Sequence, residues 1–180
     1  MSRLLVVVDY QKDFVNGTLG FKKAETLENK IYKKIEEYLN RGDKVIFTYD
    51  THYKNYLKTR EGKILPVEHC IIDTEGHQLY GKVNKFKDNP NTLSYNKESF
   101  GLSPSTILDI ADKVGDEIRE IELVGVVTNI CVISNAIVFQ SQFKEAQIIV
   151  DASLCAGFDE EMHKKALEVM ESFQVKVINK

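Results

Sequence analysis

Three side chains far apart along the chain, Asp9, Lys97 and Cys131, are of the types that covalent thiol chemistry needs. A thiol with an ordinary pKa of about 8.5 is a weak nucleophile near neutrality. It becomes competent when a base takes its proton and a cation holds the thiolate. Asp9 and Lys97 supply those two functions. Cys131 lies in Gly125-Val-Val-Thr-Asn-Ile-Cys131, where a strand passes into a helix. At a helix start the free N–H groups and the dipole favour a thiolate, and the same N–H groups can receive a developing oxyanion. Taken singly, each residue also has a plainer role: a thiol buried in helix packing, an Asp ending a strand, a solvated Lys. The chemistry requires the set. Cys70 and Cys155 are weaker nucleophile candidates. Cys70 is directly beside His69 in an extended segment and points the other way, and Cys155 is expected in a loop after its strand.

A second set occupies a long polar stretch over residues 51–80. Asp50-Thr-His52 puts a carboxylate and an imidazole on one side of an extended segment, and Glu61, His69 and His77 follow. Carboxylate plus imidazole suits one divalent metal ion, Zn, Fe or Mn. The spacing is irregular, so a polar loop with scattered histidines is the competing reading.

Periodicity says which elements must position these groups. Leu4–Val8 is a continuous aliphatic run, as expected of a strand buried on both faces. Ala24, Leu27, Ile31, Ile35 and Tyr38 recur at helical spacing, with Gly42 as a stop. Lys44–Tyr49, Thr92–Tyr95, Glu120–Val127, Ala146–Val150 and Val175–Ile178 read as further strands. A helix near Pro104–Gly115, another through Ile133–Gln140 and a third on the stripe Met162, Ala166, Val169, Met170, Phe173 lie between them. Strands alternating with helices mean an α/β fold with a mostly parallel sheet and helices on both faces. In such sheets ligands sit at the carboxyl ends of the strands, where Asp9, Asp50, His52, Lys97 and Cys131 all fall.

Composition excludes other classes. At 180 residues the chain fits a single domain, 1–180, with the 51–80 loop as an excursion. Lys+Arg number 24 against Asp+Glu 27. The resulting net charge of −3 carries no basic stripe, so neither nucleic acid nor a membrane surface is an expected partner. No apolar run approaches the roughly 20 residues of a membrane span, and the N-terminal run lacks the features of a signal peptide. Three cysteines in such a chain read as reduced thiols in a cytoplasmic protein.

Four segments together resemble the cysteine hydrolases of the isochorismatase-like superfamily, nicotinamidases in particular. They are Val8-Asp9-Tyr-Gln11-Lys-Asp13-Phe14; Asp50-Thr-His52 with Leu65-Pro-Val-Glu-His69-Cys; Lys97-Glu-Ser-Phe-Gly101; and Gly125-Val-Val-Thr-Asn-Ile-Cys131-Val. They come in the family's order and cover nearly the whole chain. The resemblance implies a six-stranded parallel sheet and a catalytic triad of Asp9, Lys97 and Cys131. It implies a cis peptide between Val126 and Val127, with the Val127 and Cys131 N–H groups as an oxyanion hole. It also implies Asp50, His52 and His69 as metal ligands with Glu61 as the fourth, and Phe14 as a wall of the substrate pocket. The activity implied is hydrolysis of a small-molecule amide such as nicotinamide, within NAD salvage, by a cytoplasmic homo-oligomer. The alternatives are a carbamoyl, ureido or vinyl-ether substrate on the same fold, or a non-enzymatic binding domain. The chain departs from the family pattern in having no Trp, in carrying Glu75-Gly-His77-Gln where Gly-Trp is expected, and in placing Asn129 where Asp is common.

Overall fold

The computed structural model of the protein describes residues 2–115 and 117–180. Its strands are β1 Ser2–Val8, β2 Lys44–Asp50, β3 Thr92–Lys97, β4 Ile118–Val126, β5 Gln147–Ala156 and β6 Lys176–Ile178. They form one six-stranded sheet in the order β3-β2-β1-β4-β5-β6, with every neighbouring pair parallel. The helices are α1 Lys12–Val15, α2 Lys22–Glu25, α3 Glu28–Asn40, α4 Arg60–Ile64, α5 Pro104–Val114, α6 Ile133–Gln142 and α7 Glu160–Ser172. Among the described residues no helix is long and apolar enough to cross a membrane.

The aliphatic run of β1 shows why the sheet is sandwiched. Successive side chains of a strand point to opposite faces. Leu4, Val6 and Val8 join a core with residues of α5, α6 and α7. Leu5 and Val7 join a second core with residues of α1, α2 and α3. A strand with apolar side chains at every position therefore needs helices on both sides, and β1 has them. The helix ends follow local chemistry. Ser103 caps α5 by accepting from the Thr106 N–H at 3.2 Å, with Pro104 in the first turn. Asp159 caps α7 by accepting from the Met162 N–H at 2.8 Å.

Three elements differ from expectation. The stripe from Ala24 to Tyr38 is two helices, α2 ending at Glu25 and α3 starting at Glu28, with the Thr26 hydroxyl donating to the Lys23 carbonyl at 2.7 Å between them. The 51–80 stretch is not wholly irregular, since it contains α4 and a 3₁₀ turn at Tyr56–Lys58. The strand expected to stop at Val150 runs on to Ala156. Leu123 pairs with Val150, but Gly125 pairs with Cys155, so β5 bulges and then rejoins β4. Cys155 consequently sits inside the strand, buried, and not in a loop.

Gly125 is the tightest point of this arrangement. Its φ is +118°, and a Cβ there would lie 2.2 Å from the Val8 carbonyl oxygen. Only glycine lets β4 approach β1 where the two strands release Asp9 and the Cys131 turn. Gly125→Ala is expected to destabilise the fold by at least about 2 kcal/mol, read as a lowered denaturation midpoint in urea.

Candidate active site

In the strand order β3-β2-β1-β4-β5-β6 the chain direction of travel reverses between β1 and β4, and crevices at that point hold ligands in open α/β sheets. Asp9 follows β1 immediately, with φ +45°, a left-handed backbone that Asp, with Asn and His, adopts more readily than other residues besides Gly. Its N–H reaches the Thr48 carbonyl and hydroxyl oxygens, each at 3.2 Å. The Thr48 hydroxyl in turn donates to Asp9 Oδ1 at 2.6 Å. The other carboxylate oxygen faces Lys97, the last residue of β3, with Nζ–Oδ2 2.7 Å. The Lys97 ammonium also reaches Asp50 Oδ1 at 3.3 Å, the Ser99 carbonyl at 3.1 Å and Cys131 Sγ at 3.7 Å. Asp9, Lys97 and Cys131, remote in sequence, are thus one buried cluster.

Burial dominates the electrostatics of the cluster. It raises the Asp9 carboxyl above its ordinary value, and the Lys97 charge opposes that rise while Asp50 adds to it. Burial works against the Lys97 ammonium, but Asp9, Cys131 and Asp50 outweigh it, so the lysine stays protonated. Burial and Asp9 push the Cys131 thiol well up, against the pull of Lys97. The helix-start position alone does not make a resting thiolate here. The arrangement is a protonated thiol beside a carboxylate able to take its proton and an ammonium able to hold the product anion.

Cys131 lies in a π-helical turn, Thr128–Val132, between β4 and α6. The peptide between Val126 and Val127 is cis. Among the described residues the Val127 N–H donates to no acceptor, while its carbonyl accepts from Ile130 and Val132. A free buried amide beside the thiol is a donor available to a ligand.

The metal-type residues converge as well. His52 Nε2 lies 3.0 Å and His69 Nε2 3.4 Å from Asp50 Oδ2. Glu61 Oε1 is 3.7 Å from the first histidine nitrogen and 3.9 Å from the second. Ligands about 2.0–2.1 Å from a tetrahedral ion stand roughly 3.3–3.4 Å apart; the two Asp50–histidine distances lie near that spacing, and Glu61 stands farther out. His52 Nε2 is buried without a hydrogen-bond partner. His69 Nδ1 lies 2.8 Å from the Val67 carbonyl, a bond that leaves the Nε2 lone pair facing Asp50. Asp50, His52 and His69 form a possible metal-binding triad among the described residues, and the fit of the donor set to a divalent ion is good. His77 stands apart, bonded through Nε2 to the Thr51 hydroxyl at 2.9 Å.

One cavity of about 70 Å³ touches both centres. Phe14, Leu19, Leu65, Phe100, Val127, Ile130 and Phe158 line it with Asp50, Glu61, His69 and Cys131. A larger cavity of about 520 Å³, walled by α2, α3, β5 and α7, contains none of the thiol cluster or the metal-type residues.

Several supporting residues had no assigned role in the sequence. Gln11 donates to the carbonyls of Asp50 and His77, both at 2.9 Å, and accepts from the Asp50 N–H at 2.8 Å. Asp13 accepts from the Cys70 N–H at 2.7 Å. Asn135 accepts from the Leu102 N–H and donates to the carbonyls of Phe100 and Cys131, which ties the segment after Lys97 to the thiol helix. Gln11 and Asp13 lie inside the opening motif, and Asn135 stands four residues after Cys131, so helical spacing was the available signal. Tyr56 is fully buried against the rings of His52 and His69, at 4.6 and 5.1 Å, and nothing in its sequence context marks it.

The comparisons with known proteins agree with this geometry. The isochorismatase domain family matches residues 3–180. The isochorismatase family protein PncA of Bacillus subtilis strain 168 is 30% identical over 175 residues, 93% of each chain. A crystal structure of the nicotinamidase/pyrazinamidase PncA from Bacillus subtilis superposes with a TM-score of 0.88 at 28% identity, covering 99% of this chain and 100% of the other. A pyrazinamidase/nicotinamidase from Streptococcus mutans gives 0.86 at 28% identity, over 98% and 100% of the two chains. The chain belongs to the isochorismatase family and is a hydrolase of its nicotinamidase-like kind.

If the four donors hold an ion, Asp50→Ala removes the carboxylate that faces both histidines. Bound metal measured by atomic emission is expected to fall at least tenfold relative to the native protein, after both have been dialysed against the same Zn, Mn or Fe salt.

Proposed function

We propose that the protein is a metal-assisted cysteine amidohydrolase that converts nicotinamide, or a similarly small aromatic carboxamide, to the acid and ammonia. The observation that carries this reading is the single cavity bounded by the Cys131 thiol and by Asp50, Glu61 and His69, with Phe14 on its wall. An amide carbon placed at the sulfur would share the cavity with Asp50, Glu61 and His69. The similarity to the nicotinamidases of Bacillus subtilis and Streptococcus mutans supports the same substrate class.

In the proposed reaction Asp9 takes the Cys131 proton, and the Lys97 charge, 3.7 Å from sulfur, holds the thiolate. The thiolate attacks the carbonyl carbon, and the carbonyl π electrons move onto oxygen. The Val127 and Cys131 N–H groups receive that oxyanion; losing one such donor typically costs about 10²–10³ in rate. Collapse expels ammonia, which carries the proton returned by Asp9, and leaves a thioester. Water, deprotonated by Asp9, adds to the thioester, and a second collapse releases the acid and restores the thiol. Asp50, His52, His69 and Glu61 would hold a divalent ion that supplies a Lewis-acidic point for the ring nitrogen, directly or through water. Phe14 and the other apolar walls exclude bulk water. By the same resemblance the enzyme works in the cytoplasm as a homo-oligomer, returning nicotinamide to pyridine nucleotide synthesis.

Ammonia release from a panel of amides tests the reading. Nicotinamide and pyrazinamide are expected to be turned over, with turnover suppressed by a chelator. Silence on both, with activity on a ureido compound, would shift the assignment to the carbamoyl-type alternative. Cys131→Ala is expected to lower kcat by at least about 10³-fold with the circular dichroism and bound metal unchanged. Near-native turnover by that variant refutes covalent catalysis.

Asp9 must be unprotonated to act, so activity rises with pH through its ionisation. Because burial raises Asp9, the acid limb of the kcat/KM profile is expected above the usual carboxylate value of 3.8. A limb at or below 3.8 would mean that Asp9 is not the base.

A further inference from the structure

The short segment Val127–Val132, which carries both proposed oxyanion donors and the thiol, packs against the last helix of the chain. Thr128, which directly follows Val127, is fully buried. Its hydroxyl lies 2.8 Å from Nδ1 of His163, a half-buried residue on the second turn of α7. The same seam is tight at Gly157. A Cβ there would stand 3.0 Å from Asn129 Oδ1 and 3.6 Å from the His163 Cβ. The β5–α7 connection and α7 therefore press on the Thr128–Val132 turn, and among the described residues the one side-chain hydrogen bond that joins the helix to the turn is His163 to Thr128.

We propose that His163 is a positioning residue for the reaction, holding the Val127–Cys131 turn in its donor geometry through the buried Thr128 hydroxyl. The proposal rests on the thiol hydrolase reading above. His163 touches neither the 70 Å³ cavity nor the sulfur. What it fixes is the peptide segment whose two N–H groups must meet the oxyanion and whose side chain must meet the carbonyl carbon. A displacement of that segment by a fraction of an ångström costs rate and leaves the cavity walls on other segments, Phe14, Leu65, Phe100 and Phe158, in place. Burial holds the His163 imidazole below its ordinary pKa, so the ring is neutral and exchanges one hydrogen bond with a hydroxyl that can donate or accept.

The test uses four variants: His163→Leu, His163→Asn, Thr128→Val and the double Thr128→Val/His163→Leu. Asn carries its amide nitrogen and oxygen at the same distance from the backbone as His Nδ1, so it can remake the bond, while Leu cannot. Valine keeps the shape of Thr128 and removes the bond from the other end, which covers the case in which His163→Leu fails to fold. His163→Leu and Thr128→Val are each expected to lower kcat for nicotinamide about 10–100-fold, with KM changed less than about threefold and bound metal unchanged. His163→Asn is expected to recover most of the loss. The double variant is expected to be no worse than the worse single one, because both remove one interaction.

Three results would overturn the proposal: a native kcat in Thr128→Val, a loss in His163→Asn as large as in His163→Leu, or fully additive losses in the double variant. If the native protein releases no ammonia from any amide, the nicotinamide reading fails, and the positioning role is decided without substrate. The rate at which iodoacetamide alkylates Cys131 is then compared across the same proteins. A change of about threefold or more in His163→Leu that His163→Asn reverses supports the role, and equal rates in all of them reject it.

Discussion

A lysine ammonium buried to 4% exposure is the constraint on which the site depends. Removing such a charge from water costs several kcal/mol unless it is paired and hydrogen-bonded. Lys97 is satisfied by two carboxylates and a carbonyl drawn from different strand ends, Asp9 from β1, Asp50 from β2 and Ser99 after β3. The register of the sheet makes this possible. Lys97 pairs directly with Asp50 across β2 and β3, and Thr48, which orders Asp9, pairs with Val8 across β1 and β2. A slip of one residue in either pairing would turn each side chain to the opposite face. The ion cluster and the sheet register therefore specify one another.

Asp50 joins this cluster to the histidine pair. Its Oδ1 faces the ammonium and its Oδ2 faces both imidazoles. Its backbone is held on both sides by the Gln11 amide, which also grips the His77 carbonyl in the 51–80 stretch. The two centres are consequently not independent modules placed side by side. A cation drawn toward one oxygen of Asp50 weakens what the other oxygen offers Lys97, and Lys97 in turn sets how strongly Asp9 holds a proton. Charge at the histidine end reaches the thiol through two ion pairs, a path of packed and fully buried groups.

The strands and most helices were legible because their signals are local: the aliphatic run of β1, the helical stripes of α3 and α7, the Ser103-Pro104 helix start. The ends of β1, β2 and β4, where most of the chemistry-bearing residues cluster, were legible to within a residue for the same reason, whereas β3 runs past Tyr95 and takes in Lys97. What escaped was long-range or sterically coded. The extension of β5 to Ala156 depends on a bulge whose partner residues lie on β4, and no periodicity within 147–156 announces it. The split between α2 and α3 falls at Thr26–Leu27, inside an apolar stripe that runs on unbroken. Gln11, Asp13 and Asn135 were visible as residues, but their partners are 33 or more positions away or are backbone atoms, which leave no trace in composition. Tyr56 reads as an ordinary aromatic in a polar stretch, and only the fold shows it wedged against His52 and His69.

The lack of tryptophan acquires a physical answer in the same geometry. A flat amide needs apolar walls more than it needs one particular ring, since an offset or edge-on aromatic contact contributes only about 0.5–1.5 kcal/mol beyond burial. Here the walls come from several separate segments, among them Phe14 from α1, Leu65 after α4, Phe100 after β3 and Phe158 after β5. Phe14 sits edge-on to His69, with centroids 5.5 Å apart, and Phe158 leans on Phe21 at 4.7 Å. Two of the walls therefore rest on a second aromatic ring, one of them on a residue of the metal-type set. A wall assembled this way keeps its shape through packing between segments.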